Sequence, residues 1–313
     1  MIVCCGEALI DFMPIAQEGT PAYRPFPGGS PFNVAIGLGR LGAPAGFLSR
    51  ISTDFFGDLL MQTLADNGVD ARYVKRAGDP TMLAFVSHKP EGEPQYAFFA
   101  NGAADRCITE HDLPPAFDEN VACLHLGLGA ISTQAEPAAS TFEALLKRES
   151  KRRVLAIDPN VRPNLVKDRS AARARLESWV ALCDIVKVSR ADLDWLYPGR
   201  VAEESAAAWR DLGPKVVVMT LGPDGAMALL NGSKVAVPGR KIGVVDTVGA
   251  GDSFHSALLA GLNEHGLLTR DRLAKLDIGV LKILLDRSVA AAAITCSRAG
   301  ANPPTKRELE DAL

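Results

Sequence analysis

The chain has 313 residues, of which 47% are hydrophobic and 23% charged, and its formal net charge is −3. This length and hydrophobic content suffice for a large buried core, in one domain with an appendage or in two domains. The near-neutral charge gives no electrostatic footprint for nucleic acid or for a membrane surface, so we expect small-molecule chemistry.

The cellular context is predicted from the first residues and from the cysteines. Residues 1–7 contain no basic n-region, and no uncharged run in the chain is long enough to cross a bilayer. The six cysteines show no metal-type spacing, and most lie in apolar segments. We therefore expect reduced thiols in a cytoplasmic protein.

Hydrophobic patterning predicts strands and helices along most of the chain. The first half is predicted to contain a strand at 2–10, a helix opened by Ser30 and Pro31 and ended by Gly42, a strand at 45–51, a helix at 58–67, and short strands at 82–87 and 95–99. The second half is predicted to contain a strand at 121–126, a helix at 136–149, a strand at 154–157, a helix at 171–182, strands at 185–188, 216–220 and 226–230, and a helix beginning near Gly249.

Strands that alternate with helices predict a mostly parallel sheet covered by helices on both faces. Ligands in such folds bind at the carboxyl ends of the strands. Five polar residues near predicted strand ends are expected to face one cleft: Asp11, Asn160, Lys187, Thr220 and Asp246. The strands at 82–87 and 95–99 have no helix beside them, so they must pack on a partner subunit or on the mouth of the main domain.

The stretch 244–254 combines a β-branched run, a glycine-rich turn and the start of a helix. Gly249 and Gly251 let an anion approach the first backbone N–H groups of that helix, which lack intrahelical partners. Asp252 would repel a phosphate bound there unless a substrate group or a metal lay between them. A carboxylate beside an anion site suits a kinase, because one group can orient the acceptor hydroxyl while the other neutralises the transferring phosphoryl.

Residues 246–254 read Asp-Thr-Val-Gly-Ala-Gly-Asp-Ser-Phe and resemble the C-terminal signature of the ribokinase-like (PfkB) sugar kinases. Residues 28–42 are similar to the family's N-terminal region, with Gly28, Gly29, Asn33 and a terminal Arg-Leu-Gly. The resemblance covers nearly the whole chain. It implies a ribokinase-like α/β/α sandwich in a single domain, 1–313, with a small β lid formed by about 12–27 and 81–106, and a homodimer through that lid.

The resemblance also implies the sugar site. Its members are Asp11, Gly28, Gly29, Asn33, Asn101 and Asp252. Glycine leaves room for a sugar against the backbone, and the Asp11 carboxylate and the Asn33 amide can bond vicinal hydroxyls. The residues alone leave another interpretation open, in which Asp11 is a turn residue and Asn33 a surface amide.

No Gly-x-x-x-x-Gly-Lys-Ser/Thr motif is present, so ATP must be bound without a P-loop. In the family that the chain resembles, the nucleotide lies across the strand ends and late loops. The implied nucleotide residues are Lys187, Ser189, Thr220, Gly222, Gly225, Gly249, Gly251, Gly300 and Asn302. Residues 223–225 alone are equally typical of an ordinary Pro-Asp-Gly turn.

Two metal ions are implied by the same resemblance. The segment 187–192 departs from the family's Lys-x-Asn-x-x-Glu pattern, but Asp192 is a candidate for binding Mg²⁺ directly or through water; otherwise Ser189 and Asp192 cap the following helix. For a monovalent cation, K⁺, the candidate ligands are Asp246, Val248 and Gly300. Alternatively, Asp246 only caps local amides.

The implied catalytic set consists of Asp252, Arg162 and the amides of Gly249, Ala250 and Gly251. Asp252 would orient the acceptor hydroxyl and take its proton, and the amides would stabilise the phosphoryl. Arg162 belongs to an Asp-Pro-Asn-Val-Arg run similar to that of the fructokinase branch, and its guanidinium would reach the phosphoryl. The alternative for Arg162 is an ion pair with Asp158.

The predicted reaction is transfer of the γ-phosphoryl of ATP to a hydroxyl of a ketohexose, and the predicted enzyme is a fructokinase. A 2-keto-3-deoxygluconate kinase, or another PfkB-type sugar or nucleoside kinase, is the alternative. A 2-keto-3-deoxygluconate kinase needs a cation for the substrate carboxylate. Ala100 stands where basic residues often occur in the family, although Arg24 and Arg106 remain candidates for this cation. This favours a neutral sugar.

Two remote alternatives belong to other classes. Residues 37–42 fit Gly-x-Gly-x-x-Gly, the dinucleotide fingerprint of an NAD-linked oxidoreductase, but here the glycines close a predicted helix instead of opening one after a strand. A sugar-binding regulator without catalysis is the other, and it would have no need of Asp252 beside a phosphate site.

Overall fold

A computed structural model of the protein describes residues 1–15, 22–87, 95–129 and 133–313. The strands, in chain order, are β1 (Ile2–Gly6), β2 (Leu9–Ile15), β3 (Ala22–Gly28), β4 (Ala45–Ser52), β5 (Asp70–Ala77), β6 (Met82–Ser87), β7 (Gln95–Phe99), β8 (Cys123–Gly127), β9 (Val154–Asp158), β10 (Ile185–Ser189), β11 (Val216–Thr220), β12 (Ala226–Leu230) and β13 (Ser233–Val237). The helices are α1 (Ser30–Arg40), α2 (Phe55–Asp66), α3 (Ala138–Glu149), α4 (Arg169–Val180), α5 (Arg190–Leu196), α6 (Ala202–Asp211), α7 (Ala250–Glu264), α8 (Arg270–Leu273), α9 (Ile278–Cys296) and α10 (Lys306–Asp311).

The larger sheet has nine strands in the order β13-β12-β11-β10-β9-β8-β1-β4-β5. Every pair from β11 to β5 is parallel, and β12 and β13 add an antiparallel edge. Neighbouring side chains of one strand pack on opposite faces of this sheet. Ile185 of β10 belongs to the core with α1, α2, α7 and α9, and Val186 belongs to the core with α3 to α6. The predicted α/β/α sandwich with a mostly parallel sheet is therefore confirmed.

The predicted strand at 2–10 is wrong in one respect, because the chain changes sheets inside it. β1 lies at the centre of the large sheet, whereas β2 belongs to a second sheet of order β3-β2-β6-β7. Gly6 makes the break with φ +139°, and a Cβ there would lie 2.6 Å from the carbonyl oxygen of Gly127. Both segments are apolar, so hydrophobicity alone gave no sign of the change.

The second sheet contains the predicted strands at 82–87 and 95–99, and the turn predicted between them falls on residues 88–94, outside the described residues. It also contains β3, which the proline-rich sequence did not predict. Pro25 and Pro27 are compatible with this strand because β3 lies at the edge of the sheet, where a missing N–H donor is tolerated.

Patterning also missed β5, β13 and several helices, of which α9 is the longest with 19 residues. Leu281, Leu284, Leu285 and Val289 of α9 are buried, yet Ile283 is largely exposed. Apolar residues thus lie around the whole helix, and the contrast between two faces on which a periodicity argument depends is weak.

The glycines of the Gly-x-Gly-x-x-Gly match serve helix packing. A Cβ on Gly37 would lie 2.4 Å from Oγ of Ser256 in α7, and one on Gly39 would lie 2.1 Å from the carbonyl oxygen of Asn67. Both glycines are inside α1 and neither opens a helix after a strand. The structural context of a dinucleotide fingerprint is therefore absent from this motif.

None of the helices in the described ranges is long and apolar enough to span a membrane. The six cysteines are free thiols; Cys107 and Cys296 are half-buried and the other four are buried.

Candidate active site

A cavity of about 200 Å³ lies between the carboxyl edge of the large sheet and the second sheet. Many residues predicted for the site line it: Asp11, Gly29, Asn33, Asn160, Arg162, Lys187, Val248, Gly249, Gly251 and Asp252. The topology thus brings together segments that are more than 200 positions apart in the chain, such as Asn33 and Asp252.

Asp252 lies in the first turn of α7 and is buried. Its two carboxylate oxygens accept separate hydrogen bonds, Oδ1 from the Ser30 hydroxyl at 2.8 Å and Oδ2 from the Asn33 amide at 2.9 Å. Each oxygen of a carboxylate has two acceptor positions, so both can still receive a substrate hydroxyl. The two bonds fix the carboxylate in one orientation toward the cavity.

Burial raises the pKa of Asp252, and the nearby Asp158 carboxylate adds to the rise. The hydrogen bond from Asn33 and the charge of Lys187 act in the opposite direction. A carboxyl at a helix N-terminus would ordinarily be a weak base, because the helix dipole favours its charged form. Here the net rise in pKa makes the carboxylate a better proton acceptor than an exposed aspartate.

Residues 247–251 form a tight turn into α7, which we call the anion loop. Gly249 has the left-handed φ of +75°, and a Cβ there would lie 2.6 Å from Cβ of Ala301. The Ala250 N–H donates to the Thr247 carbonyl at 3.3 Å, a long bond, and Ala250 does not line the cavity. The backbone of Gly249 and Gly251 lines it at the N-terminal end of the helix, where an anion is stabilised.

Lys187 lies behind the anion loop and forms a 2.8 Å ion pair with Asp158. Both side chains are buried, 4% and 0% exposed. Burial opposes the charge of the Lys187 ammonium, but the carboxylates of Asp158 and Asp252 outweigh it and raise the lysine pKa. A Cβ on Gly251 would lie 2.8 Å from the Lys187 Nζ, so glycine is required for the loop to rest on this ammonium.

Arg162 lines the same cavity, and its Nη1 donates to Oδ1 of Asn160 at 2.7 Å. The alternative interpretation of Arg162 as an ion-pair partner of Asp158 is wrong, because Asp158 pairs with Lys187. The sequence could not separate these two cations. The guanidinium of Arg162 remains half-exposed and can face a phosphoryl group in the cavity.

Asp11 also lines the cavity, where it is held next to Gly28. A Cβ on Gly28 would lie 2.3 Å from Oδ2 of Asp11, and a Cβ on Gly29 would lie 2.9 Å from the Glu7 carbonyl oxygen. The glycines are thus needed for the packing of the site itself. Burial, followed by the Glu7 charge, raises the pKa of Asp11 to about 7.

Asp246 joins the two loops that were predicted to hold K⁺. Its Oδ1 accepts from the Val248 N–H at 3.0 Å, and its Oδ2 accepts from the Gly300 N–H at 2.9 Å. Both oxygens therefore cap amides, as the alternative interpretation expected, and Asp246 itself does not line the cavity. The amides of the two loops thus converge on one carboxylate, and the Gly300 carbonyl accepts from the Asn302 N–H at 2.8 Å.

Asp192 has a similar capping arrangement. Its Oδ2 accepts from the Ser189 N–H at 3.3 Å, Ser189 caps α5 in return, and Oδ1 accepts from the Val161 N–H at 3.0 Å. Burial and then the Asp158 charge raise the pKa of Asp192. With both oxygens bonded to amides, Asp192 fits Mg²⁺ through a water molecule better than by direct ligation. It also holds the loop that carries Arg162.

Other residues predicted for the site lie outside the cavity. Asn101 is exposed in the turn after β7, and the Asn302 side chain accepts from Arg40. Thr220 ends β11, and Gly222 and Gly225 form the turn that follows. A Cβ on Gly225 would lie 2.2 Å from the Val237 carbonyl, so this glycine is required by the β12-β13 packing whether or not a nucleotide lies above it.

Sequence reasoning did not assign four polar residues that the structure places at the site. Glu7 and Thr247 line the cavity, Glu7 accepts from the Ser30 N–H at 3.1 Å, and Ser30 and Asp158 act as described above. Asp158 follows the predicted strand at 154–157, which was the available signal, whereas Glu7 lies inside the predicted strand at 2–10 and follows the end of β1 only in the structure. Ser30 was interpreted only as a helix cap, and its bond to Asp252 depends on long-range packing.

Known proteins that are similar to this chain are sugar kinases. The model of the family "pfkB family carbohydrate kinase" matches residues 1–307. A fructokinase of Rhizobium leguminosarum bv. trifolii is 43% identical over 90% of this chain and 86% of that protein, and Fructokinase-1 of Oryza sativa subsp. japonica is 35% identical over 99% and 96%.

The fold is also similar to that of a solved fructokinase structure. The crystal structure of a fructokinase double mutant from Vibrio cholerae O395, in a form with bound fructose, ADP and potassium ion, has a TM-score of 0.87 and 27% identity, and it covers 100% of this chain and 97% of that chain. The family model spans nearly the whole chain, including the anion loop and the segment that carries Asn33. The chain therefore belongs to the pfkB family of carbohydrate kinases.

Proposed function

We propose that this protein is an ATP-dependent fructokinase, which transfers the γ-phosphoryl of ATP to a hydroxyl of the ketohexose. The observation that carries the proposal is the Asp252 carboxylate, fixed by Ser30 and Asn33 at the rim of the anion loop. An acceptor hydroxyl and a phosphoryl group can meet there. The fructokinases among the similar proteins support the choice of sugar.

In the proposed reaction, a hydroxyl of fructose hydrogen-bonds to Asp252, and its oxygen attacks the γ-phosphorus as the bond to the β-phosphate oxygen breaks. The hydroxyl proton passes to the Asp252 carboxylate. In a loose transition state little proton transfer is needed early, so orientation of the hydroxyl is the larger contribution. Asn33, next to Asp252, and Asp11 on the same cavity wall would hold further hydroxyls of the sugar.

The charge of the phosphoryl group is met from several directions. The N-terminal end of α7 at Gly249 and Gly251 faces it, Arg162 approaches from the strand edge, and the ammonium of Lys187 lies behind the loop. Mg²⁺ bound to the phosphates would neutralise further charge, with Asp192 reached through water. The residues Thr220, Gly222, Gly225, Gly300 and Asn302 are proposed to border the adenosine.

We also propose that a K⁺ ion orders the anion loop from the side of Asp246. The cation would be held by backbone carbonyls of the adjacent segments around Val248 and Gly300. The potassium ion in the Vibrio cholerae fructokinase structure supports this assignment.

The second sheet is proposed to act as a lid on a single 1–313 unit and to form a homodimer contact. Phe98 of β7 lines the cavity, so movement of this sheet would change access of water to the phosphoryl. Tyr23 and Phe99 of the same sheet are 40% and 63% exposed, which is unfavourable unless a partner covers them. Asn101, in the turn after β7, would reach the sugar on closure.

The proposal is tested with a coupled assay of ADP release across a panel of sugars, with fructose, glucose, ribose, 2-keto-3-deoxygluconate and a nucleoside as acceptors. Fructose should give the highest kcat/KM. A higher kcat/KM for another acceptor would reassign the substrate within the kinase family, whereas the absence of turnover on every acceptor would favour a sugar-binding protein without catalysis.

A further inference from the structure

A groove of about 450 Å³ lies on the outer surface between α4 and the segment that follows α5. The described residues that line it include three arginines, Arg169, Arg173 and Arg200, and no aspartate or glutamate. Ser170 contributes a hydroxyl. The chain as a whole is slightly acidic, with a net charge of −3, so three converging cations are a local feature of this surface. We refer to it as the arginine groove.

The three guanidinium groups are oriented by aromatic rings. The Cζ of Arg169 lies 5.8 Å from the centroid of Trp195, and those of Arg173 and Arg200 lie 5.4 and 5.9 Å from the centroid of Tyr197. Stacking on a ring leaves the in-plane N–H donors of a guanidinium available. The rings therefore hold the cations without using their hydrogen-bond donors, and of the three arginines Arg200 also donates elsewhere, from Nη2 to the Glu204 carbonyl at 3.2 Å.

Carboxylates compensate these arginines poorly. Arg169 has no ion pair with any carboxylate in the described part of the chain. Arg173 and Arg200 approach Glu177 and Glu204 only to 3.9 Å, and exposed contacts of that length contribute little.

Arg175 of the same helix shows the contrast, because it pairs with Glu136 at 2.6 Å and with Glu143 at 2.8 Å. Asp168, at the same end of the helix, caps α4 by accepting from the Ala171 N–H at 3.0 Å.

We infer that the arginine groove is a second anion site, which binds a small phosphate ester or polyphosphate with two or more negative charges. Planar guanidinium groups bind phosphate oxygens in pairs, and several of them converging on one volume select multiply charged groups. The groove is separate from the proposed active site, since none of its lining residues lines that cavity. The inference does not depend on which sugar the enzyme phosphorylates.

The test is a titration with inorganic pyrophosphate, followed by the fluorescence of Trp195. The other two tryptophans, Trp179 and Trp209, are buried. Trp195→Phe identifies the part of the signal that comes from the ring beside Arg169. A triple variant, with Arg169→Gln, Arg173→Gln and Arg200→Gln, tests the three cations. The matched control is Arg307→Gln, which changes an arginine whose side chain is 91% exposed on α10.

Wild type and Arg307→Gln should show saturable binding, and the triple variant should bind at least about tenfold more weakly, because charge-assisted bonds to three cations are lost. Sugar kinase activity should not change in the triple variant. If that variant does not fold, Arg169→Gln alone should weaken binding by a smaller factor.

A sugar phosphate should compete with pyrophosphate, while sulfate at the same ionic strength should compete weakly. Equal binding by wild type and the arginine variants would overturn the inference, as would signal changes that sulfate reproduces at the same concentration.

Discussion

The Asn33 amide of α1 donates a 2.9 Å hydrogen bond to the Asp252 carboxylate of α7, across 219 positions of the chain. The contact connects the N-terminal glycine-rich segment, proposed to hold the sugar, to the anion loop, proposed to hold the phosphoryl. One carboxylate therefore takes part in both the sugar site and the phosphoryl site of the proposed reaction.

Replacing Asp252 by Asn should nearly abolish turnover while leaving ATP affinity unchanged or slightly higher. The change keeps the shape of the side chain but removes the proton acceptor, whose loss typically lowers rates by about 10² to 10⁴. Removing a negative charge beside the anion loop relieves repulsion of ATP. The measurements are kcat and ATP affinity, with thermal melting as a check of folding and the exposed Asp311→Asn as the control. A folded variant that keeps more than about a tenth of kcat would show that Asp252 is not the base.

Replacing Ser30 by Ala should move the acidic limb of the kcat/KM profile to higher pH. The Ser30 hydroxyl donates to the ionised Asp252, and a bond of this kind lowers the pKa of a carboxyl. Without it the pKa of Asp252 rises further, so a higher pH is needed to ionise the base. Ser288→Ala is the control, since Ser288 is buried and bonds only the Leu284 carbonyl. If the acidic limb of the kcat/KM profile does not shift in Ser30→Ala, the group that titrates there is not Asp252.

Asp105 should make the fold less stable as the pH rises. It is buried, Oδ2 accepts from the Ala8 N–H at 3.3 Å, and Oδ1 has no partner within the described residues. Burial, with the charge of Glu7, raises its pKa to about 8, above the unfolded value near 4. Stability linked to this group is therefore fully present below about pH 4 and is lost as the pH rises toward 8.

Asp105→Asn should remove much of that loss, because the amide stays neutral. We expect the variant to melt at least about 2 °C above wild type at pH 8, which corresponds to about 1 kcal/mol, and to differ less at pH 5. Asp194→Asn on the exposed side of α5 is the control. A variant that loses the same stability as wild type between pH 5 and pH 8 would exclude Asp105 as the source.

Potassium should raise the rate severalfold over tetramethylammonium at equal ionic strength. Asp246 joins the Val248 and Gly300 amides, so a cation held by neighbouring carbonyls would stabilise the anion loop in its binding conformation. The measurement is kcat and ATP affinity in K⁺, Na⁺ and tetramethylammonium chlorides. Equal rates in all three salts would leave Asp246 as an amide cap alone.

Fructose should be a better substrate than 2-keto-3-deoxygluconate by about 100-fold or more in kcat/KM, because burying a carboxylate without a cation costs several kcal/mol. In the described part of the chain the cations that line the cavity are Lys187, which pairs with Asp158, and Arg162, which bonds Asn160 and whose charge also acts on Asp11. Arg24 and Arg106 do not line it, and Arg24 lies 5.2 Å from the ring of Phe26. Similar kcat/KM values on the two acceptors would show that one of these arginines reaches the substrate after lid closure.

The parts of the site that the sequence predicted are local in the chain. The anion loop and the first turn of α7 follow from the spacing of Gly249, Gly251 and Asp252, and the strand that carries Lys187 follows from its apolar run. Asp11 was expected at the end of the strand at 2–10, but it lies within β2 of the second sheet. Pairing is a different matter, since either Arg162 or Lys187 could have neutralised Asp158. Only the register of β9 and β10, which places Ile157 beside Val186, sets Asp158 next to Lys187.

The fold shows the same division. The alternation of strands and helices predicts the parallel sheet, because each pattern depends on residues close in sequence. The change of sheet between β1 and β2 was not predictable, since only Gly6 and Glu7 interrupt the apolar run and the two sheets differ in their distant partners.

The position of Lys187 has a consequence for how the enzyme responds to salt. Charges on a protein surface are screened over about 8 Å at physiological ionic strength, but a buried ammonium is screened far less. Lys187 is 4% exposed, adjoins the backbone of Gly251 and lines the cavity, so little solvent lies between its ammonium and a bound phosphoryl. Affinity for the phosphoryl end of ATP should thus change little as salt is added to a dilute buffer, whereas an anion in the exposed arginine groove would be released as salt rises.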